Sequence, residues 1–374
     1  MKTGELSAWH FATRQPVRVR WAGGLITQLE PAPAPPPPDV WIAPALCDLQ
    51  INGYAGVDFQ QDDLNADDLL GATHGLRAAG CAKFLLTLIT DDWARLTARL
   101  RRLRAVRAQS AELQSAIMGW HIEGPFLSSE PGFHGAHDPA LMLDPLPEHI
   151  RELRALTGKD PLLLTMAPER PGALAAIQLA AALGIKISLG HTDAAAEILA
   201  QAVQAGATMF THLGNGCPRE LDRHDNILWR GFDTPGLTAS LIPDRIHVSP
   251  ALFRLQHRAF GNSVFYTTDA MSAAGAPPGR YPIGKLTVEV GGDQIVRQPG
   301  KTNFAGSALR PVEGVFRAAE MLRCPWQEAW ARGSEVPAKL MGWRNEIAVG
   351  QPARFCRLKL ARDGGLLELK TECP

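Results

Sequence analysis

The chain of 374 residues is long enough for one large domain with a smaller one, and its apolar content of 45% is ordinary for a globular protein. Its 38 basic and 38 acidic residues cancel to a net charge of zero, so no polyanion partner is implied and nucleic acid is not expected to bind. No stretch approaches the roughly 18 apolar residues of a membrane span, and the first residues lack the apolar core of a signal peptide.

Short β-type segments stand at both ends of the chain. Residues 17–29 form two such segments around a glycine turn, and the proline run at 31–38 is typical of an extended connector. Residues 348–371 return to a β pattern. We therefore predict that the two ends pair in one small β-sandwich domain, formed by residues 1–43 and 345–374.

The region between these ends alternates strand-type and helix-type segments. Gly80, Gly184 and Gly206 follow three of the helical stretches, as glycine often does at a helix end. Eight β/α units over roughly 300 residues predict an α/β fold, a (β/α)8 TIM barrel over residues 44–344. The predicted strands cover residues 45–51, 82–88, 117–123, 162–166, 185–189, 208–212, 237–242 and 264–268.

Helical spacing of Ala, Leu and Arg predicts the helices between these strands. The connection at 214–235 is long and polar, which indicates a functional loop. A β excursion is predicted at 284–303. The predicted helices cover residues 67–79, 93–113, 147–157, 171–183, 194–205, 311–322 and 326–334.

Polar residues stand at the ends of four predicted strands. Glu123 is the last residue before a Gly124-Pro125 stop, and His191, His212 and Asp269 end or follow the fifth, sixth and eighth strands. Because active sites of this barrel class lie at the carboxyl ends of the strands, we expect these four side chains to meet. His121 points to the same face as Glu123, either as part of the site or as a satisfied core histidine.

Two imidazoles and a carboxylate are typical of a zinc-type site with one position left open for water. Asp269 is then a separate carboxylate that can take a proton and later give it to a leaving group. This combination predicts hydrolysis of a C–N or related bond. The six cysteines show no C-x-x-C spacing, which favours reduced thiols in the cytoplasm over disulfides or a cysteine-zinc site.

The motifs around these residues resemble the amidohydrolase superfamily and, within it, the N-acetylglucosamine-6-phosphate deacetylase family. The similarity covers nearly the whole chain, and the order and spacing of the motifs are specific. The motifs are Asp48-Leu49-Gln50-Ile51-Asn52-Gly53, His121-Ile122-Glu123-Gly124-Pro125-Phe126, Gly135-Ala136-His137, Leu189-Gly190-His191-Thr192, Thr211-His212-Leu213, Asp244-Arg245-Ile246-His247-Val248, Thr268-Asp269-Ala270-Met271 and Ala305-Gly306-Ser307.

The resemblance implies that Glu123, His191 and His212 bind one divalent metal, with Zn²⁺ favoured over Fe²⁺, Co²⁺ or Mn²⁺. It implies two catalytic residues, Asp269 as general acid/base and His137 in contact with the scissile acetamide. A small amino-sugar phosphate is the implied partner, with Arg223 (or Arg219) on the phosphate and His247 donated by the neighbouring subunit of a homodimer. The substrate-binding residues implied by the resemblance are Asn215, Gly216, Arg223, His247, Ala305, Gly306 and Ser307.

Three departures from the family pattern bear on these expectations. Gln50 and Asn52 stand where many superfamily members have H-x-H, and amides are poor zinc ligands, so one metal is expected. The segments 214–217 and 223–226 also differ from the usual sequence around the sugar and phosphate. Deacetylation of N-acetylglucosamine 6-phosphate is the leading hypothesis. The alternatives are another N-acyl substrate (another N-acetyl amino-sugar phosphate or an N-acyl amino acid) and a non-catalytic sugar-binding protein.

Overall fold

The structure, a computed structural model, describes residues 3–300 and 304–373. Eight parallel strands form a nearly closed barrel, and the two ends of the chain form a separate six-stranded sheet, which confirms the predicted fold class. The strands are β1 (Gly4–His10), β2 (Pro16–Ala22), β3 (Leu25–Pro31), β4 (Val40–Pro44), β5 (Leu46–Ile51), β6 (Gly53–Tyr54), β7 (Val57–Asp58), β8 (Cys81–Ile89), β9 (Ile117–Glu123), β10 (Leu162–Met166), β11 (Lys186–Leu189), β12 (Ala207–Phe210), β13 (Thr238–Leu241), β14 (Val264–Tyr266), β15 (Gly279–Ile283), β16 (Leu286–Val290), β17 (Val296–Arg297), β18 (Phe355–Leu360) and β19 (Leu366–Glu372).

Helices alternate with the barrel strands, as the sequence pattern predicts. Two predicted helices, at 147–157 and 311–322, have the same bounds in the structure, and most others shift by one or two residues at an end. A short 3-10 turn also covers Pro139–Leu141. The helices are α1 (Ala66–Ala78), α2 (Trp93–Ala108), α3 (Ala111–Ala116), α4 (Pro147–Thr157), α5 (Ala173–Ala182), α6 (Ala196–Ala205), α7 (Ile227–Asp233), α8 (Pro250–Phe260), α9 (Pro311–Leu322), α10 (Trp326–Arg332) and α11 (Glu335–Leu340).

The barrel sheet runs in the order β14-β13-β12-β11-β10-β9-β8-β5. Its two edges meet where Ile51 forms an isolated parallel bridge with Ala270, just beyond β14. The buried carboxylate of Asp48 reinforces this seam, because it accepts hydrogen bonds from the backbone N–H and the hydroxyl of Thr268 at 2.9 and 2.7 Å. The first and last barrel strands are thereby brought together at the end that carries the site.

The barrel strands form where short runs of apolar residues are buried on both faces, as parallel strands between helices require. β12 ends at Phe210 and β14 at Tyr266, each two residues before its predicted end. His212 and Asp269 therefore lie in turns beyond the sheet. This placement leaves their side chains free to turn toward the centre of the barrel mouth.

Two predictions about helices need correction. A single helix over 93–113 is wrong, because α2 ends at Ala108 and α3 starts at Ala111. The break falls at Ser110, whose hydroxyl accepts the backbone N–H of Leu113 at 3.3 Å and so caps a new helix. The connection at 214–235 is also not irregular throughout, since Asn226 caps the short helix α7 with its side-chain oxygen.

The terminal segments join in the order β19-β18-β4-β1-β2-β3, as one sheet with its own apolar cluster around Val19, Ile42 and Phe355. The domain boundaries near residues 43 and 345 stay a prediction. The β excursion forms a sheet of β15, β16 and β17, and its predicted end at residue 303 lies outside the described residues.

All six cysteines are free thiols, in agreement with the prediction from their spacing. Among the described residues, no helix is both long enough and apolar enough to cross a membrane. The cytoplasmic location stays a prediction.

A buried histidine outside the site predicts how stability depends on pH. The Nε2 atom of His257 in α8 lies 3.2 Å from the Tyr266 hydroxyl, and burial lowers the pKa of His257 to about 3. The unfolded chain then binds a proton near pH 6.5 that the folded chain rejects, so this residue reduces the free energy of unfolding as the pH falls below that value. Between pH 7 and pH 5, we expect the free energy of unfolding to fall by about 1–2 kcal/mol less in His257→Gln than in the wild type. Urea denaturation at both pH values, with chelator present throughout, measures the difference, and identical losses would contradict it.

Candidate active site

The four polar residues predicted at strand ends meet at the mouth of the barrel. Glu123 ends β9, His191 and His212 each lie two residues beyond β11 and β12, and Asp269 lies three residues beyond β14. All four are buried. His191, His212 and Asp269 have positive φ angles of 52°, 30° and 51°, a region that residues other than glycine rarely adopt. Such strain persists where the surrounding structure holds a residue in place, and it is common at functional sites.

Glu123 is the centre of this cluster. Its Oε1 atom lies 2.9 Å from Nε2 of His212 and 3.5 Å from Nε2 of His191. One ligand atom from each of the three residues lies within 4.8 Å of the others. Burial by itself would raise the pKa of Glu123, but His191 and His212 hold that pKa well below its ordinary value. The carboxylate is therefore ionised, as a metal ligand must be.

The hydrogen bonding of His191 fits a metal ligand. Its Nδ1 atom lies 2.8 Å from the backbone oxygen of Phe133, and a carbonyl can only accept, so Nδ1 carries the proton. A cation bound together with Glu123 would take the Nε2 lone pair of the neutral ring. A backbone carbonyl that fixes the histidine tautomer in this way is the usual support of a metal-binding imidazole. The residues present thus fit one divalent cation.

Two glycines hold the His191 ring from opposite chain segments. A Cβ atom on Gly135 would lie 2.9 Å from Cε1 of the ring, and one on Gly216 would lie 2.8 Å from Nδ1. Both glycines also have positive φ angles, of 60° and 63°. Any larger residue at either position would displace the ring, so Gly216 supports the metal site as well as bordering the predicted sugar site.

Asp269 is bound by two amides that the sequence places in the first strand motif. Its Oδ1 atom accepts hydrogen bonds from Nε2 of Gln50 at 3.0 Å and from Nδ2 of Asn52 at 2.7 Å. The same Gln50 nitrogen donates to Oε1 of Glu123 at 3.0 Å, so one amide bridges both carboxylates. Burial, followed by the charge of Glu123, raises the pKa of Asp269 to about 7. Asp269 is thus able to exchange a proton near neutral pH.

The bridge formed by Gln50 gives a direct prediction. Gln50→Leu removes a donor from two buried carboxylates, and each lost hydrogen bond to a charged group is worth about 1.5–3 kcal/mol. We expect kcat for the catalysed hydrolysis to fall by about 10–100-fold, because Asp269 is no longer held in place. Steady-state kinetics measure this, with Gln201→Leu on the exposed face of α6 as the matched control. Equal kcat values in the two variants would show that the bridge is not needed.

His137 lies at the edge of the cluster and is neutral. Its Nδ1 atom lies 2.8 Å from the Thr90 hydroxyl, and its Nε2 atom lies 3.9 Å from Oε2 of Glu123. Burial, followed by the charge of His191, lowers the pKa of His137 to about 3. A neutral imidazole at this place can exchange hydrogen bonds with a substrate without competing for the proton of Asp269.

His121 is a satisfied core histidine, one of the two interpretations open from the sequence. Its Nε2 atom lies 2.8 Å from the Thr165 hydroxyl, and its Nδ1 atom lies 3.4 Å from the Thr87 hydroxyl. The Thr165 hydroxyl continues to Thr211 at 2.8 Å, and Thr211 donates to Ser188 at 2.6 Å. This hydroxyl layer inside the barrel was not predicted. Its signal is the recurrence of small polar residues within otherwise apolar strands.

The structure brings some of the predicted substrate-binding residues to the site and leaves others apart. Asn215 donates to the backbone oxygen of His212 at 3.1 Å, next to Gly216. The backbone N–H of Ser307 donates to the carbonyl oxygen of Asp269, and the carbonyl oxygen of Ser307 accepts from the N–H of Met271. Ser307 therefore stabilises the turn that carries Asp269. Ala305 and Gly306 precede it and pack on the same turn.

Arg223 and His247 differ in their positions. The Arg223 side chain is exposed, and its Nε atom contacts His224 at 2.9 Å within the same loop. His247 lies close enough to Asp269 of its own chain for its charge to lower the pKa of that carboxyl. Its donation to a neighbouring subunit stays a prediction, as does the homodimer.

Known proteins resemble this chain over most of its length, although no family model matches the sequence. The chain is 32% identical to the N-acetylglucosamine-6-phosphate deacetylase of Danio rerio, over 80% of this chain and 75% of the relative. It is 29% identical to the N-acetylgalactosamine-6-phosphate deacetylase of Escherichia coli O157:H7, over 93% of this chain and 91% of the relative. A solved structure of a mutant N-acetyl-D-glucosamine-6-phosphate deacetylase from Mycobacterium smegmatis, in complex with N-acetyl-D-glucosamine-6-phosphate, is 27% identical. It covers 98% of this chain and 97% of its own, with a TM-score of 0.85.

Proposed function

Because this chain belongs to the N-acetylglucosamine-6-phosphate deacetylase family of hydrolases, we propose that it converts N-acetylglucosamine 6-phosphate and water to glucosamine 6-phosphate and acetate. The observation that carries the proposal is the buried cluster in which Gln50 holds Asp269 next to Glu123. A proton-transferring carboxylate beside a metal-ligand set is what hydrolysis of an unactivated amide requires.

Glu123, His191 and His212 would hold one divalent cation, with Zn²⁺ favoured and Fe²⁺, Co²⁺ and Mn²⁺ as alternatives. When bound, such a cation supplies a Lewis acid for the acetamide carbonyl and lowers the pKa of a water molecule. Asp269 takes the proton that the attacking water loses and then gives it to the nitrogen of the leaving amine. Gln50 and Asn52 keep the Asp269 carboxylate in one place during both transfers.

His137 is the residue that we assign to the scissile acetamide. We assign the Thr90 hydroxyl, 2.8 Å away, as the donor to Nδ1, which puts the proton of the neutral ring on Nε2. Nε2 then donates to the carbonyl oxygen, where negative charge develops during attack by water. A fixed donor of this kind costs no reorganisation when the charge appears.

The sugar phosphate is assigned to residues around this centre. Asn215, Gly216 and the turn Ala305-Gly306-Ser307 border the sugar, and His247 packs on Phe304 next to that turn. The terminal guanidinium nitrogens of Arg223 have no hydrogen-bond partner within the described residues, which supports a bidentate contact with phosphate. The homodimer implied by the resemblance is part of this proposal.

Two other substrates follow from specific observations. The Escherichia coli relative, which aligns with 93% of this chain, is a deacetylase of the galacto epimer, so N-acetylgalactosamine 6-phosphate is the second candidate. The altered loop at 214–226 leaves an N-acyl amino acid as the third. That substrate has no sugar phosphate, so its hydrolysis would not depend on Arg223.

Acetate release by the zinc-loaded protein tests these candidates. We expect turnover of a phosphorylated N-acetyl sugar and little turnover of the unphosphorylated sugar. Arg223→Ala should raise KM for the phosphorylated substrate by about 10–100-fold, because a charge-assisted contact worth about 1.5–3 kcal/mol is lost. Arg362→Ala, at an exposed arginine in the turn between β18 and β19, is the matched control. Equal turnover of the phosphorylated and the unphosphorylated sugar would favour the N-acyl alternative. No turnover of any sugar would contradict the proposal.

A further inference from the structure

A buried carboxylate next to the active site holds an imidazole in a defined state. Asp244 follows β13 and is only 4% exposed. Its Oδ2 atom lies 2.6 Å from Nδ1 of His247. Its Oδ1 atom accepts the backbone N–H groups of Ile246 and His247 at 2.8 and 2.9 Å. Oδ1 of Asp244 thus stabilises the turn, and Oδ2 binds the His247 ring.

The turn that carries this pair is itself held under strain. Arg245 lies between the two residues with a φ angle of +68°, in the left-handed region. A non-glycine residue keeps such a conformation only where its surroundings fix it. The hydrogen bonds to Oδ1 of Asp244 are part of that constraint, and they set the position of the His247 backbone.

The contact with Oδ2 determines which nitrogen of His247 faces the substrate. An ionised carboxylate only accepts, so Nδ1 carries a proton and Nε2 is the atom left for a ligand. Within the described residues, Nε2 makes no hydrogen bond. The ring packs on Phe304 with 5.2 Å between the centroids, beside the turn that holds Asp269. The ring is therefore fixed at its Nδ1 edge and open at its Nε2 edge.

We propose that Asp244 is a positioning residue for the reaction, which keeps the proton of His247 on Nδ1 and so presents Nε2 of the ring to the substrate. The assignment rests on the proposed function, since it needs the sugar substrate that His247 is assigned to bind. It takes His247 as part of the site of its own chain, in place of donation to a neighbouring subunit, because the ring packs on Phe304 next to the segment whose Ser307 backbone bonds Asp269. Asp244 itself touches no reacting atom and acts only through His247.

Asp244→Asn separates this role from simple capping of the turn. The amide oxygen must take the place of Oδ1, since two backbone N–H groups point at it. The amide NH₂ then faces Nδ1 of His247, which becomes an acceptor. The turn keeps its hydrogen bonds, while the ring moves its proton from Nδ1 to Nε2.

Nitrogen NMR of the zinc-loaded protein with labelled histidine measures which nitrogen of His247 carries the proton, without any substrate. The groups that bear on the ring are Asp244 in the same turn, Asp269 beyond β14, and Arg317 of α9, which donates to the backbone oxygen of Asp244 at 3.4 Å. We expect Nδ1–H in the wild type and Nε2–H in the neutral ring of Asp244→Asn. His247→Gln assigns the signal, and Asp233→Asn, at the exposed end of α7, is the matched control. An unchanged tautomer in Asp244→Asn would overturn the proposal.

Kinetics on the same variants test whether the state of His247 matters for the substrate. We expect Asp244→Asn to raise KM for the phosphorylated sugar about tenfold, with kcat changed less than about threefold. In the His247→Gln background, Asp244→Asn should add less than about twofold. Independent, multiplying effects would overturn the proposal, because Asp244 would then act apart from His247. If the wild type turned over no phosphorylated sugar, the proposed function would fall, while the tautomer measurement would still decide the Asp244 assignment.

Discussion

Asp269→Asn is expected to reduce kcat for acetate release by about 10³-fold with KM nearly unchanged. The asparagine oxygen can still accept from Gln50 and Asn52, so the position of the side chain is kept. An amide cannot take a proton from water at neutral pH, and the transfers to and from the leaving nitrogen are both lost. A general acid/base contributes about 10²–10⁴-fold, which sets the expected size of the effect.

Two further measurements separate the loss of a proton carrier from the loss of metal. The metal content of the variant, determined by mass spectrometry, should equal that of the wild type, because Asp269 is outside the ligand triad. Asp233→Asn, on the exposed end of α7, should keep full activity. Retention of more than a tenth of the wild-type kcat would contradict the acid/base role. Loss of metal together with activity would instead place Asp269 among the ligands.

The positions of Glu123, His191, His212 and Asp269 were accessible from sequence because each stands at a break in a simple pattern. A buried parallel strand is a short apolar run, and a polar residue followed by a turn marks its end. The barrel then brings all strand ends to one face. No knowledge of loop geometry is needed for that inference, which is why the cluster follows from the order of strands and helices.

The interactions that tune the cluster could not be predicted in the same way. Gln50 reaches Asp269 across 219 positions of sequence, and that contact depends on how β5 and the turn after β14 approach at the barrel seam. The sequence identified Gln50 as an unfavourable metal ligand and not as a bridge between two carboxylates. The break of the helix at Ser110 was missed because one capping hydrogen bond outweighed an otherwise continuous helical pattern.

The Asp244–His247 pair illustrates the same limit. The motif at 244–248 was visible, but the φ angle of Arg245 decides that the two side chains meet. Loop backbones depend on contacts with the rest of the protein, here with Phe304 and α9. Sequence patterns report burial and periodicity, and neither fixes a turn of this kind.

Removal of the metal is expected to abolish acetate release, and added Zn²⁺ should restore it. The wild type should retain about one equivalent of divalent metal, and His212→Asn should retain less than a tenth of that, because one of three ligands is lost. Metal that binds only the folded chain also stabilises it, by about 4 kcal/mol at a thousandfold excess over Kd. We therefore expect Tm of the wild type to rise by several degrees on addition of Zn²⁺, and Tm of the variant to stay unchanged.

The number of metal ions bound per chain also tests whether the Gln50 amide bridges the two carboxylates. The Nε2 atom of its amide donates to both Glu123 and Asp269 at 3.0 Å, so hydrogens occupy the space between the carboxylates. An amide nitrogen offers no lone pair, and a second cation there would have to displace both hydrogen bonds. Metal analysis of the wild type and of the control His74→Asn, at an exposed histidine of α1, should give the same single equivalent. Two equivalents would mean that Gln50 turns its carbonyl inward, and the assignment of Asp269 as a metal-free carboxylate would then be wrong.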